Sequence, residues 1–290
     1  MTVLLFALVI ISAGAAGNLY RRLSQKSGCA WDTARMPLFW FLPLCAFFLI
    51  TALTKGKAAV WWAAITGGVA MYLADFLLIE SMKKASLSIP VILINLSFII
   101  PVVLSILILN EKTLPLQLVG MLISALAVLA LNYRRGEGKG MLLLPVITCL
   151  VNGLLNFCIK LNNQAGGDAD AFFAVFYGAG ALCGIVCACI TVLRRSPANE
   201  DAIPVPFMSI LRENLVPLSL LCLANGICFW AKSLLAGMVN AAALFTITTS
   251  AAMAFTLLVG ALFQREKITW RVALSFVACL CAILCQAGGL

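Results

Sequence analysis

The chain has 290 residues, 63% hydrophobic and 11% charged, with a mean hydropathy of +1.07. A soluble domain is roughly half apolar and about one quarter charged, so soluble globular classes, disorder and collagen are excluded together. The net charge of +9, from 20 Lys and Arg against 11 Asp and Glu, is scattered through short connections. That is the topogenic pattern of a membrane protein, not a nucleic-acid surface.

A membrane span needs about 20 apolar residues. Runs between charged or Pro/Gly-rich breaks supply ten: 2–20, 37–54, 58–80, 86–109, 114–132, 141–161, 171–193, 215–235, 238–263 and 268–288. The first imitates a signal peptide, with Ala13-Gly14-Ala15 after an apolar stretch. No Lys or Arg precedes it and Arg21 and Arg22 follow it, so an uncleaved span ending near Asn18 is expected. The third run carries Asp75 and, nearer its end, Glu80. A buried carboxylate costs several kcal/mol unless it is protonated or paired. Asp75 therefore reads as a proton-coupling or cation-binding group, or as half of an ion pair with Lys232. Glu80 reads as a second coupling candidate or as an interfacial charge beside Lys83 and Lys84.

The fourth run holds Asn95 between Pro90 and Pro101. The two prolines remove backbone donors and predict a broken or kinked helix, which a membrane tolerates where the break lines a cavity. Glu111-Lys112 then reads as a turn between paired helices, compensating helix dipoles. In the sixth run Asn152, Asn156 and Lys160 recur at i, i+4 and i+8, on one helix face. That face either lines a cavity or serves as interhelical hydrogen-bonding glue, with Lys160 snorkelling to the interface. In the seventh run Gly180-x3-Gly184 favours close helix contact. Arg194 to Asn214, with Pro197, Pro204 and Pro206, is the longest break. The eighth run offers Asn225, Trp230 and Lys232 for a cavity wall or for packing. The ninth puts Thr246, Thr249, Ser250 and Met253 on one face.

The halves repeat. Leu109-Asn110-Glu111-Lys112 recurs as Gln264-Arg265-Glu266-Lys267, 155 positions on. Asn18-x3-Arg22-Leu23-x4-Gly28 recurs as Asn156-x3-Lys160-Leu161-x4-Gly166, 138 positions on. The difference places an insertion in the second half, where the long connection lies. Residues 1–135 and 136–290 are thus expected to be two five-span units. An odd number of spans per unit inverts the second against the first. The fold expected is an all-α integral membrane protein, ten transmembrane helices as two inverted five-helix repeats around a central cavity.

Counting connections alternately, one side holds Arg21, Arg22, Lys26, Arg35, Lys83, Lys84, Arg134, Arg135, Lys139, Arg194, Arg195, Arg212, Arg265, Lys267 and Arg271. The other holds Lys55, Lys57, Lys112, Lys160 and Lys232. The positive-inside rule then puts both termini outside the cytoplasm of a cell membrane.

There is no histidine, which removes His-based triads, zinc-helix motifs and His haem ligation. No Gly-x-Ser-x-Gly elbow or phosphate-binding Gly-Lys-Ser/Thr loop is present. The close Asp168 and Asp170 sit in a Gly-rich connection, not on facing helices. The 12 cysteines, nearly all in apolar runs and without a Cys-x-x-Cys pair, read as small hydrophobes. No cofactor, metal or nucleic-acid partner is expected, and an intramembrane enzyme is disfavoured.

The stretch Tyr72 to Leu131, with its SIPVILINLSFIIPVVLSILILNEKTLPLQLVGMLISALAVLAL core, recurs from Ala241 as AAALFTITTSAAMAFTLLVGALFQREKITWRVALSFVACLCAIL. An apolar helix, a Glu-Lys turn and a small-residue-rich helix resemble the drug/metabolite transporter superfamily, in its ten-span EamA-like branch. The resemblance implies an inverted-repeat basket with a substrate cavity and no ATP-driven step. It also implies secondary transport of a small metabolite, often as an exporter and open to proton coupling. The near-equal candidate acids, Asp75 and Glu80, and bases, Lys160 and Lys232, point to a zwitterion such as an amino acid or similar compound. A non-transporting or lipid-translocating subunit is the alternative. Small multidrug-resistance relatives carry a coupling glutamate in the first helix. Met1 to Tyr20 has no acid, so coupling would fall to Asp75 or Glu80. Asn18, Asp75, Asn95, Asn152, Asn156, Lys160, Asn225, Trp230, Lys232, Thr246 and Thr249 are the expected cavity residues. The expected partners are the lipid bilayer and a small molecule, the chain acting as monomer or homodimer.

Overall fold

The computed structural model describes residues 1–26, 30–55, 58–84, 94–132, 143–193, 207–263 and 270–286. Every regular element among the described residues is helical. Lipid offers no hydrogen bonds, so a spanning backbone must satisfy its own donors and acceptors, as a helix does. In order they are α1 (Thr2–Lys26), the short α2 (Ala30–Arg35), α3 (Leu38–Lys55), α4 (Trp61–Lys84), α5 (Ile99–Ile108) and α6 (Pro115–Asn132). The second half follows with α7 (Leu143–Gln164), α8 (Ala169–Leu193), α9 (Phe207–Ala236), α10 (Ala241–Phe263) and α11 (Trp270–Gln286).

Among the described residues, four stretches have the length and apolarity to cross a membrane: Thr33–Lys55, Trp61–Ser81, Ala169–Ile190 and Asn214–Ala236. Shorter apolar helices cover Thr2–Gly17, Ile94–Ile108, Pro115–Leu129, Ala241–Phe255 and Ala273–Gln286. Large apolar side chains face outward around the molecule, among them Leu4, Ile50, Trp62, Leu126, Leu223 and Leu284. In water such a surface would aggregate; in lipid it is the ordinary exterior. The chain is a multi-pass helical membrane protein.

Two breaks differ from, or refine, the apolar-run reading. The fourth run is helical at Ile94–Leu96, turns at Ser97–Phe98, and resumes as α5. Pro101 has no N–H for the Ser97 carbonyl, which accepts from Ile100 N instead, at 3.2 Å. Pro90 lies outside the described residues. The eighth run is longer than expected. α9 starts at Phe207, inside the supposed connection, and is kinked at Asn214 (φ −120°, ψ 19°). Pro217 lies three residues on, where its ring disrupts the preceding turn.

Local chemistry sets the other helix ends. Asp168 Oδ1 accepts from Asp170 N and Ala171 N at 3.0 and 3.1 Å, an N-cap for α8. Gly166 adopts φ 73° just past α7, the left-handed stop that glycine takes most cheaply. Asn240 Oδ1 accepts from Ala243 N at 2.8 Å and starts α10.

The helices pack as antiparallel pairs. α3 lies against α8, tied by the ion pair of Lys55, at the end of α3, with Asp170, at the start of α8. α6 lies against α11, where Gln286 Nε2 donates to Gln117 O at 2.9 Å and Ser275 Oγ to Ala127 O at 3.2 Å. α1 packs on α9 and α10, while α7 packs on α4 and α5. The α3–α4–α8 core is aromatic: Trp40, Phe41, Tyr72, Phe172, Phe176 and Tyr177 are all buried. Phe48 stacks on Tyr177 with centroids 5.8 Å apart. The α1–α9–α10 core is built largely from alanines and leucines, which bring backbones close.

Candidate functional site

The break in the fourth run opens a cavity of about 160 Å³. That is below the roughly 300–1,000 Å³ of drug-sized sites, so a small ligand fits it best. Asn95 and Ser97 enter from the break, Asn152 and Asn156 from α7, and Lys232 from α9. Thr248 and Thr249 of α10 face them, and Phe98 and Phe245 supply apolar wall.

The polar wall is partly wired together. Asn152 Nδ2 donates to Ser97 Oγ at 2.5 Å, and Ser97 Oγ donates to Ile94 O at 2.6 Å. Asn156 Nδ2 donates to Asn152 O at 2.8 Å. Its Oδ1, buried, has no hydrogen-bond partner. Thr248 is spent on its own helix, bonding to Leu244 O at 2.8 Å. Lys232 lies with its ammonium 5.2 Å from the Phe229 ring centroid, a cation–π contact. None of the described lining residues is acidic.

Asp75 belongs to a separate buried cluster. Its Oδ1 accepts from Tyr20 Oη at 2.9 Å and its Oδ2 from Trp40 Nε1 at 3.2 Å. Asn225 Nδ2 in turn donates to Tyr20 Oη at 3.0 Å. The expected alternative of an Asp75–Lys232 ion pair is therefore corrected. Two uncharged donors take both carboxylate oxygens, and the cluster joins α1, α3, α4 and α9. Asn225 serves this cluster and does not line the cavity described above.

Lys160 is also displaced from its expected place. Its side chain does not snorkel. It is buried, pairs with Glu111 Oε1 at 2.7 Å, and donates to Ala236 O and Val239 O at 2.8 and 2.7 Å. Glu111 Oε2 accepts from Ala241 N at 2.8 Å, at the start of α10. Glu111 is thus more than a turn residue: it spans from the α5–α6 connection to two other helices. A cation on terminal carbonyls and an anion on a first-turn N–H both complement the helix dipoles. The sequence repeat marked the Glu-Lys turn, and the spacing marked Lys160, but nothing in either showed that they meet.

Trp230 is 39% exposed on the outer surface and does not line the cavity. Thr246 is fully buried, with its hydroxyl unpartnered. Ser250 binds Ser124 Oγ at 2.8 Å, joining α10 to α6. Glu80 is half-buried on α4. Asn18 lies on α1, its side chain outside the described residues. Ser97 and Thr248 were missed by the sequence reading; Ser97 had a signal, since it stands between Asn95 and Pro101 in the fourth run. Among the described residues no cluster of His, Cys, Asp and Glu is arranged to hold a metal ion.

A multi-pass helical bundle with a small polar hollow at a broken helix is the architecture of a membrane transport protein. Residues 1–133, a little under half of the chain, match the EamA-like transporter family, and this stretch contains the Tyr72–Leu131 hairpin that carries the resemblance. No curated protein matches the chain significantly. A solved structure described only as the crystal structure of a protein superposes with a TM-score of 0.73. The match covers 99% of this chain and 97% of the other at 12% identity, a likeness of fold alone.

Proposed function

We propose that the chain is a secondary, not ATP-driven, transporter of a small metabolite, exporting an amino acid or similar compound. The observation that carries this reading is the hollow walled by the fourth-run break, α1, α7, α9 and α10, polar on one side and apolar on the other. Polar side chains gathered around a hollow at membrane depth, beside the tightened turn at Ser97–Phe98, are costly unless water or a solute meets them.

In this reading the ten segments form two inverted five-helix units, residues 1–135 and 136–290. Two packing features support it. The equivalent helices α3 and α8, and likewise α6 and α11, lie antiparallel against each other. The α1–α9 and α1–α10 contacts have counterparts in α7–α4 and α7–α5. An in-plane two-fold axis exchanges each set. Both termini lie outside the cytoplasm of a cell membrane, from the Lys/Arg bias.

Asp75 is the proposed coupling group. Protonation would turn one of the two acceptor oxygens into a donor and loosen the hold on Tyr20 or Trp40, and Tyr20 connects through Asn225 to α9, the helix that bears Lys232.

Reconstituted into proteoliposomes, the chain should show saturable counterflow of radiolabelled amino acids. Absence of flux for every soluble metabolite class, with phospholipid translocation instead, would establish the lipid-translocating alternative.

A further inference from the structure

Lys232 stands apart from the other cations placed by the helices. Lys55 pairs with Asp170 and Lys160 with Glu111. Among the described residues Lys232 has no carboxylate partner: its ammonium faces the ring of Phe229, in a cavity whose described lining has no carboxylate. A lysine at membrane depth is expensive without a counter-charge or water. Across the same cavity, Asn156 is 6% exposed and its Oδ1 has no partner. An amide oxygen left so costs about 1–3 kcal/mol. Two lining residues thus carry an unmatched positive charge and a buried, unmatched acceptor, which a turn of the Asn156 side chain would present to a ligand.

We propose that Lys232 is the anion anchor of the cavity. The ligand it takes is a small carboxylate carrying a separate hydrogen-bond donor, an amino or hydroxy acid. The carboxylate lies on the Lys232 ammonium, and the amino or hydroxyl group donates to Asn156 Oδ1. This rests on the transport reading above and narrows it: a free carboxylate is obligatory, and amines or amides of the same size are refused. The refusal is physical. A cation brought beside Lys232 meets like charge in a low-dielectric hollow, with no described acid on the wall to offset it.

The test uses the full-length chain in nanodiscs and probes of matched size at constant ionic strength: lactate, alanine, alaninamide and ethylammonium. Lactate and alanine should raise the melting temperature; alaninamide and ethylammonium should not. Lys232→Met should weaken the response to lactate at least tenfold, while Lys232→Arg, which keeps the charge, should retain it. Equal stabilisation by alaninamide, or an unchanged lactate response in a folded Lys232→Met, overturns the anchor. If the arginine variant retains the response and the methionine variant unfolds, the comparison of the four probes on the wild-type chain still decides. Parallel counterflow of alanine separates the two claims. Flux without charge selectivity sinks the anchor and leaves transport standing. Carboxylate-selective stabilisation without any flux leaves the site and removes transport.

Discussion

At the residue scale the chain has few charges, and two of the buried ones, on Lys160 and Asp75, are held in different ways. The Lys160–Glu111 pair is almost fully enclosed and also satisfies Ala236 O, Val239 O and Ala241 N. Removing one partner leaves the other charge buried, at a cost of about 3–5 kcal/mol. Glu111→Gln and Lys160→Met should each lower the melting temperature markedly in detergent. The double variant should lose less than the two singles combined, because it strands no charge. Full additivity would show that the two side chains do not interact. Asp75 poses a different question, since its partners Tyr20 and Trp40 are neutral. Asp75→Asn should leave an assembled protein whose transport no longer varies with pH, read as flux between pH 5.5 and 8. An unchanged pH profile would remove Asp75 from coupling.

These residues mark how far the sequence could be read. A carboxylate in an apolar run is visible in the letters, and so is the i, i+4, i+8 spacing of Asn152, Asn156 and Lys160. The partner of a buried charge is not, because it comes from another helix across the bundle. Lys232 is the plainest case. Reading Asp75 as its mate followed charge complementarity, whereas the structure satisfies the carboxylate with a phenol and an indole, whose sequence positions carry no such signal.

At the element scale, close helix contact depends on missing side chains. A Cβ placed on Gly68 of α4 would lie 2.0 Å from Phe176 O of α8, and one on Gly180 of α8 would lie 3.0 Å from Gly68 O. Backbone cannot yield as a flexible side chain can, so Gly68→Ala must part the two helices and loosen the aromatic core around Phe176. Its melting temperature should fall by more than that of Gly17→Ala, whose added Cβ meets nothing within 4 Å. Equal effects would point to helix propensity alone. The Gly180-x3-Gly184 spacing advertised a close contact, but α4 supplied the opposing glycine unannounced. The proline-broken fourth run was legible because proline acts locally. The extension of α9 back to Phe207 was not, since its polar first turns, Arg212-Glu213-Asn214, look like connection in a hydropathy reading.

At the scale of the whole molecule, apolar composition dictated membrane helices, and the outward-facing Leu4, Ile50, Trp62 and Leu223 are what that composition becomes in three dimensions. In the packing, α1 lies on α9 and α10 and α7 on α4 and α5, the pattern that the proposed inverted repeat requires. Inversion has a consequence for topology. Single cysteines in a cysteine-free background, placed beside Glu111 and beside Glu266, should label from opposite sides of the membrane with an impermeant maleimide. Labelling from the same side would contradict the inverted arrangement.

The central claim is that a solute passes by way of the hollow between the fourth-run break, α7, α9 and α10. The most direct test is counterflow of radiolabelled amino acids in proteoliposomes containing the wild-type chain or Asn156→Leu, which replaces a polar wall group by an apolar one of similar shape and leaves the lipid-facing surface untouched. Saturable flux in the first, reduced at least tenfold in a stably folded second, is the predicted result. Flux of equal size in both would contradict it.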